Sequence, residues 1–245
     1  MNYKRNFLTD VIVRIDFPVI LSLTNDTPKE FQEKISKDFP ILDPMQELTF
    51  KITQNPMETL NSKKRVIWSF KSKSKDKIIE LQDNSLAINF KKYEDFDDFM
   101  SCAEIIPDIF FSIYPEIIVN KFGLRYINQI SLKEKGVFDW SQYINEKLLK
   151  NIEFIEDKNK IRRIINHLEV SPDEDTLLVF KYGIFNNTYP AAVTKKEFVL
   201  DYDCYTRVTF DRNQFNSKVK SYHKLIKNEF EKSITPAFRG VLNNE

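Results

Sequence analysis

Hydrophobic and polar residues alternate between Asp10 and Phe17: Val11, Val13, Ile15 and Phe17 point one way, Ile12, Arg14 and Asp16 the other. A period of two predicts a half-buried strand. Pro18 has no N–H to offer a ladder and marks where the pairing weakens. Asp26 and Thr27 ahead of Pro28 read as a helix start, and Phe31 and Ile35 give that short helix one apolar face to about Asp38. Alternation returns at Leu48-Phe50-Ile52, Val66-Trp68-Phe70, Ile78–Leu81 and Leu86-Ile88-Phe90, which predict four strands. Asn61-Ser62, residues 72–76 and the pair Asp83-Asn84 supply the turns between them. A helix then spans about Phe96 to Phe111.

The same order recurs downstream. Ile117 to Leu132 predicts one long strand, and Trp140 to Lys150 a helix with Asp139 as its N-cap. Ile161–Val170, Leu177–Ile184, Glu197–Tyr202 and Tyr205–Phe210 predict four more strands. Phe215 to Ser233 predicts a closing helix with Val219, Tyr222, Leu225, Ile226 and Phe230 as its apolar stripe. Ile88-Asn89-Phe90 leads into one long helix and Val208-Thr209-Phe210 into the other, and the separations Phe90 to Ile113 and Phe210 to Ile234 nearly match. Such a recurrence predicts an internal duplication in which each copy leans on its twin. The chain thus reads as α+β: two β-α-β4-α units, residues 1–114 and 115–245, joined into one curved antiparallel sheet with helices on one face. The TATA-box-binding saddle and the helix-grip folds share that layout, a likeness of topology that carries no function.

Composition narrows the functional classes. A chain of 245 residues with 42% hydrophobic positions can bury a large core. Lys+Arg at 37 against Asp+Glu at 36 leaves a net charge of +1, so there is no global pull toward nucleic acid or anionic lipid. No apolar run approaches the roughly 18–20 residues of a membrane span, and the start at Met1-Asn2-Tyr3-Lys4 lacks an apolar secretion core. A cytoplasmic location away from membranes is therefore expected. Cys102 and Cys204 lie in apolar elements and read as buried free thiols, with a disulfide as the alternative. The conventional phosphate loops and the GxSxG elbow are missing. His167 and His223 have neither an i, i+4 partner nor a CxxC neighbour, which argues against zinc. No cofactor is expected. Gly123, inside a predicted central strand, marks a bulge or the close approach of another group.

Gly123-Leu124-Arg125-Tyr126-Ile127-Asn128 resembles a strand motif of a sporadically distributed family of bacterial and archaeal proteins of about this length. Phe7 to Phe17 resembles that family's opening strand, and Phe198 to Asp203 its acidic late strand. His223, Phe230 to Thr235 and Arg239 resemble its closing helix and tail. The likeness spans nearly the whole chain in the right order. The family has no assigned activity and no catalytic residues to transfer. Its patchy distribution, like that of mobile defence genes, implies a phage-defence or toxin–antitoxin setting.

Candidate chemistry follows from shared strand faces. Arg14 and Asp16 share one face of their strand; Lys121, Gly123, Arg125, Ile127 and Gln129 share one of theirs; so do Asp201 and Asp203. If the strands of Arg14 and Arg125 are equivalent in the two units, then Arg14, Asp16, Arg125, Asp201 and Asp203 converge on the helix-free face. An arginine fork there suits phosphate or carboxylate, and the plainer alternative is a ladder of ion pairs. Tyr126 and Asn128 of the motif join this binding set. Tyr126, Tyr182, Phe185, Tyr189, Tyr202 and Tyr205 read as less buried than Phe31, Phe70, Phe90, Phe99, Phe110, Phe180, Phe210 and Phe230, and residues 183–190 as an exposed hairpin loop. Exposed aromatics beside Asn and Arg describe a protein-binding surface, or bases stacked on a sheet. The expected function is a non-catalytic binding subunit for a partner protein. The alternatives are nucleic-acid or nucleotide binding on the concave sheet face, and metal-dependent hydrolysis by Asp201 and Asp203.

Overall fold

The N-terminal alternation folds as a strand, β1 (Leu8–Asp16), and this strand stands in the middle of the sheet. The computed structural model describes residues 3–49, 63–209 and 212–243. After β1 come two short helices, α1 (Leu21–Asn25) and α2 (Lys29–Ile35), and a meander of β2 (Ile41–Thr49), β3 (Lys63–Lys71), β4 (Lys77–Gln82) and β5 (Ser85–Phe90). The long α3 (Phe96–Ile113) completes the first unit. The second unit begins with β6 (Lys121–Leu132) and a short α4 (Lys150–Glu153), then runs through β7 (Ile164–Val170), β8 (Thr176–Ile184) and β9 (Lys196–Thr206). It closes with α5 (Phe215–Ser233) and α6 (Pro236–Asn243). The expected positions Phe50, Ile52, Asn61, Ser62 and Phe210 lie outside the described residues.

All nine strands join one curved antiparallel sheet, in the order β2-β3-β4-β5-β1-β6-β9-β8-β7, and the sheet does not close into a barrel. Each unit opens with a central strand and returns to it from the rim: β5 pairs with β1, and β9 with β6. The α+β architecture read from the pattern is thus the one observed. The hairpin at Asp83-Asn84 and the spans of α3 and α5 also agree with expectation. Asp95 starts α3 by accepting a hydrogen bond from the Asp98 N–H at 2.8 Å, with Asp97 and Asp98 placed against the helix dipole.

The second half departs from the expected repeat in three places among the described residues. Its meander has three strands rather than four, because β9 runs unbroken through Asp203 and Cys204: Cys204 continues the buried row of Phe198, Leu200 and Tyr202. The helix expected over Trp140 to Lys150 is absent. Trp140 and Tyr143 lie in turns as buried wedges, and Asn145, not Asp139, caps the short 3-10 turn that follows. The tail after α5 folds as α6, whose Phe238 stacks on Phe7 and covers the start of β1. Gly123 makes no bulge; it sits in regular pairing opposite Tyr205.

Alternation sorts the sheet into two faces. Val11, Val13 and Ile15 of β1 and Phe122 and Leu124 of β6 form the buried side. Phe99, Ala103 and Phe110 of α3, and Val219, Tyr222 and Ile226 of α5, close over that side. Each such aromatic or branched side chain contributes roughly 1.5–3 kcal/mol when withdrawn from water. Among the described residues no helix is long and apolar enough to cross a membrane. Cys102 and Cys204 are free thiols, and burial pushes each up to about 12.

Gly183, within the strand expected over Leu177–Ile184 and at the start of the loop expected over 183–190, lies in β8 with φ at +136°, and a Cβ there would stand 2.3 Å from the Ile164 carbonyl oxygen. Only glycine lets β7 approach this closely. Gly183→Ala should cost about 1–3 kcal/mol, seen as a lower urea midpoint and as faster amide exchange confined first to β7. Gly240 in α6 has nothing within 4 Å of its Cβ position. Gly240→Ala should instead raise stability by roughly 0.5–1 kcal/mol.

Candidate functional site

The motif residues of β6 divide between the two faces, because neighbours on a strand point oppositely. Arg125 lies on the helix-free side, opposite Ile12 of β1 and Asp203 of β9. Arg14, Asp16 and Asp203 share that side, and together with Lys121, Gly123 and Tyr205 they line a shallow groove. Tyr126 and Asn128 are on the other side, buried beneath the helices. The seven residues expected to form one binding set therefore do not form one.

On the open face the charges answer one another. Arg125 holds Asp201 with two parallel hydrogen bonds, Nε to Oδ1 at 2.8 Å and Nη2 to Oδ2 at 2.7 Å. Asp201 is 4% exposed, so the solvent-facing carboxylate expected there is a buried one. The Asp201 hydrogen bond, before any other influence, holds the Arg125 guanidinium above its ordinary range. Arg14 turns back to Asp16 at 2.6 Å, and Lys91 pairs with Asp10. Lys121 sits 4.1 Å above the Tyr205 ring. Burial raises the Asp203 carboxyl above its usual value, against the nearby charges of Arg125 and Lys121. The face is largely the ion-pair ladder that strand alternation permits. Both Asp201 oxygens are engaged by Arg125, which leaves Asp203 without its partner for holding a cation. Among the described residues, no three His, Cys, Asp or Glu side chains gather as a metal-holding set.

Under the helices the polar groups are fewer and better enclosed. The Tyr126 hydroxyl lies 2.8 Å from His223 Nδ1, and the His223 ring stacks on Phe96 with centroids 3.8 Å apart. Burial first, and the Lys227 charge second, lower the His223 pKa to about 4, so the imidazole is neutral near pH 7. Tyr93 packs beside Tyr126 at 5.9 Å, and Asn128 is buried in the same wall. His223 was not among the expected site residues. Its signal was present: Ile226, Lys227 and Phe230 follow it at i+3, i+4 and i+7, one helix face. Of the aromatics expected to be accessible, Tyr126, Tyr182, Tyr202 and Tyr205 are buried, and Tyr189 is exposed. Phe180 and Tyr202 stack in parallel at 4.5 Å, which shows what the tyrosine excess does.

The third feature is an edge. Among the described residues β7 is the terminal strand of its half-sheet, with Ile165 50%, Leu168 46% and Val170 50% exposed. Leu168 and Val170 share one face and Ile165 the other. His167 beside Ile165 on the open face lies 3.1 Å from Glu169. The opposite terminal strand, β2, carries Pro44 at mid-length, a residue that blunts edge pairing. β7 has no such guard.

Two measurements check these assignments. Arg125→Ala strands a buried carboxylate and should cost about 3 kcal/mol, most of it recovered when Asp201→Asn is added; chemical denaturation of the three variants reads the coupling. The depressed His223 pKa means the unfolded chain binds the proton more readily between pH 6.5 and about 4. That contribution to stability is complete above pH 6.5 and is lost as pH falls toward 4. The melting-temperature gap between the wild type and His223→Gln should therefore narrow on going from pH 7 to pH 5. No family model matches the chain, and a search of curated proteins finds no relative.

Proposed function

We propose that the protein is a non-catalytic binding subunit that takes an extended segment of a partner protein along β7. The observation that carries this reading is the edge itself, which among the described residues pairs with no further strand and carries exposed apolar side chains on both faces. Strand addition at such an edge draws affinity from main-chain hydrogen bonds and specificity from alternate side-chain contacts. Asn151 of α4 hydrogen-bonds Asn166 of β7, which brings the segment of Phe154, 83% exposed, to the same end of the sheet. The ends of β7 are charged oppositely, with Arg162-Arg163 before it and Asp173-Glu174-Asp175 after it. An antiparallel guest strand that begins basic and ends acidic meets complementary charge at both ends.

The chemistry elsewhere fits a holding role. Burial holds the thiols of half-buried Cys102 and buried Cys204 protonated, His223 is neutral and stacked, and Asp201 is tied to Arg125. Nucleic-acid binding on the open face is less favoured, since Arg14 and Arg125 already face carboxylates and phosphate contacts dominate that affinity. The defence or toxin–antitoxin setting implied by the family resemblance belongs to this proposal, and it makes a protein encoded beside this one the first partner to try. A second reading has its own support. The charge order of β7 is self-complementary in antiparallel pairing, so a second copy of this chain also fits the edge.

Exposed β7 side chains can be changed at small cost to the fold, within about 0.5 kcal/mol. Leu168→Lys with Val170→Lys should weaken capture of the neighbour-encoded protein by at least roughly tenfold, measured on immobilised protein. Light scattering on the same samples separates the second reading: a dimer that the double variant turns into a monomer assigns the edge to self-association. Undiminished capture by the variant excludes β7 as the docking strand.

A further inference from the structure

Tyr126 and Asn128 line a cavity of about 150 Å³ between the segment leading into β1, the first turn of α3 and the helices α5 and α6. The edge described above does not use it. Its walls are apolar, from Leu8, Phe96, Ile226, Phe230 and Leu242. That is the volume of an apolar cavity able to take one benzene ring. A concave apolar site with a few convergent polar groups is the ordinary form of a small-molecule site.

Two polar groups are deep. Asn128 is 6% exposed, and its side chain makes a single long contact, Nδ2 to the Leu200 carbonyl oxygen at 3.4 Å, among the described residues. Tyr126, also 6% exposed, is anchored by His223. Nearer solvent the charges do not cancel. Glu231 is held by Tyr3 and Arg239, Glu94 by Lys92, and Asp95 by the Asp98 N–H. Lys227 has no acidic partner among the described residues, and Arg5 rests over the Phe7 ring at 4.4 Å. Arg5 and Lys227 are thus the two cations of the lining without an ion pair among the described residues, set against one carboxylate, Asp95, that is engaged only by a backbone N–H.

We propose that this cavity binds a small carboxylate bearing a single aromatic or compact aliphatic ring. The ring lies against Leu8, Phe96, Ile226 and Phe230, and the acid group turns toward Lys227 and Arg5. An uncharged ring of the same size fits the walls but leaves the cations unanswered.

Titration calorimetry of the full chain with 3-phenylpropionate and with 3-phenylpropanamide tests this directly. The acid should bind saturably and roughly tenfold more tightly than the amide, the worth of one charge-assisted contact. Lys227→Met together with Arg5→Met keeps the apolar stems and should abolish that preference while the amide affinity stays put. Circular dichroism and the melting temperature establish that the double variant is folded. The proposal is overturned by no saturable binding of the acid up to about 10 mM, by equal affinity for acid and amide, or by a preference that survives in the folded double variant.

Discussion

The antiparallel pairing of β1 with β6 is the contact on which this fold rests. It sets Val11 against Tyr126, Val13 against Leu124 and Ile15 against Phe122 on the helix side, and Ile12, Arg14 and Asp16 against Arg125, Gly123 and Lys121 on the other. A slip of one residue would turn every one of these side chains to the wrong face. The two units meet through this pair, so their meanders extend outward from it in opposite directions, to β2 on one side and β7 on the other. Helices α3 and α5 then cover the apolar rows on either side of the joint.

The same alternation decides what each face can do. Arg125 and Tyr126 are neighbours in the chain and opposites in the sheet. Arg125 enters a ladder of charges whose members neutralise one another, most firmly with the buried Asp201. Tyr126 enters a dry wall with His223, Phe96 and Tyr93, where few polar atoms are available and each has a defined neighbour. Elsewhere in the structure, among the described residues, β7 ends the sheet and Lys227 and Arg5 line a small cavity with largely apolar walls.

Much of the architecture was legible. Strands of period two, the Asp83-Asn84 hairpin and the stripes of α3 and α5 are local properties, fixed by residues a few positions apart. The helix expected over Trp140 to Lys150 does not form because Trp140 and Tyr143 resemble a helix stripe but serve as wedges: Trp140 packs on Phe198, and Tyr143 bonds Glu134. The split read between Tyr202 and Tyr205 failed for a related reason. Asp203 looks like a terminator, yet at the centre of a sheet it is a rung opposite Arg125.

Residue order alone settled the class of fold, the two faces of each strand and the shortage of conventional catalytic apparatus, since all of these depend on composition or short-range periodicity. It also placed Arg14, Asp16, Arg125 and Asp203 on a common side. The assembled chain alone decided that Asp201 is buried under Arg125, that His223 meets Tyr126 across a sequence separation of 97, and that β7 stands at the rim among the described residues. Those outcomes depend on strand order and register. Both arise from packing between segments remote in the chain, where no local pattern carries the information.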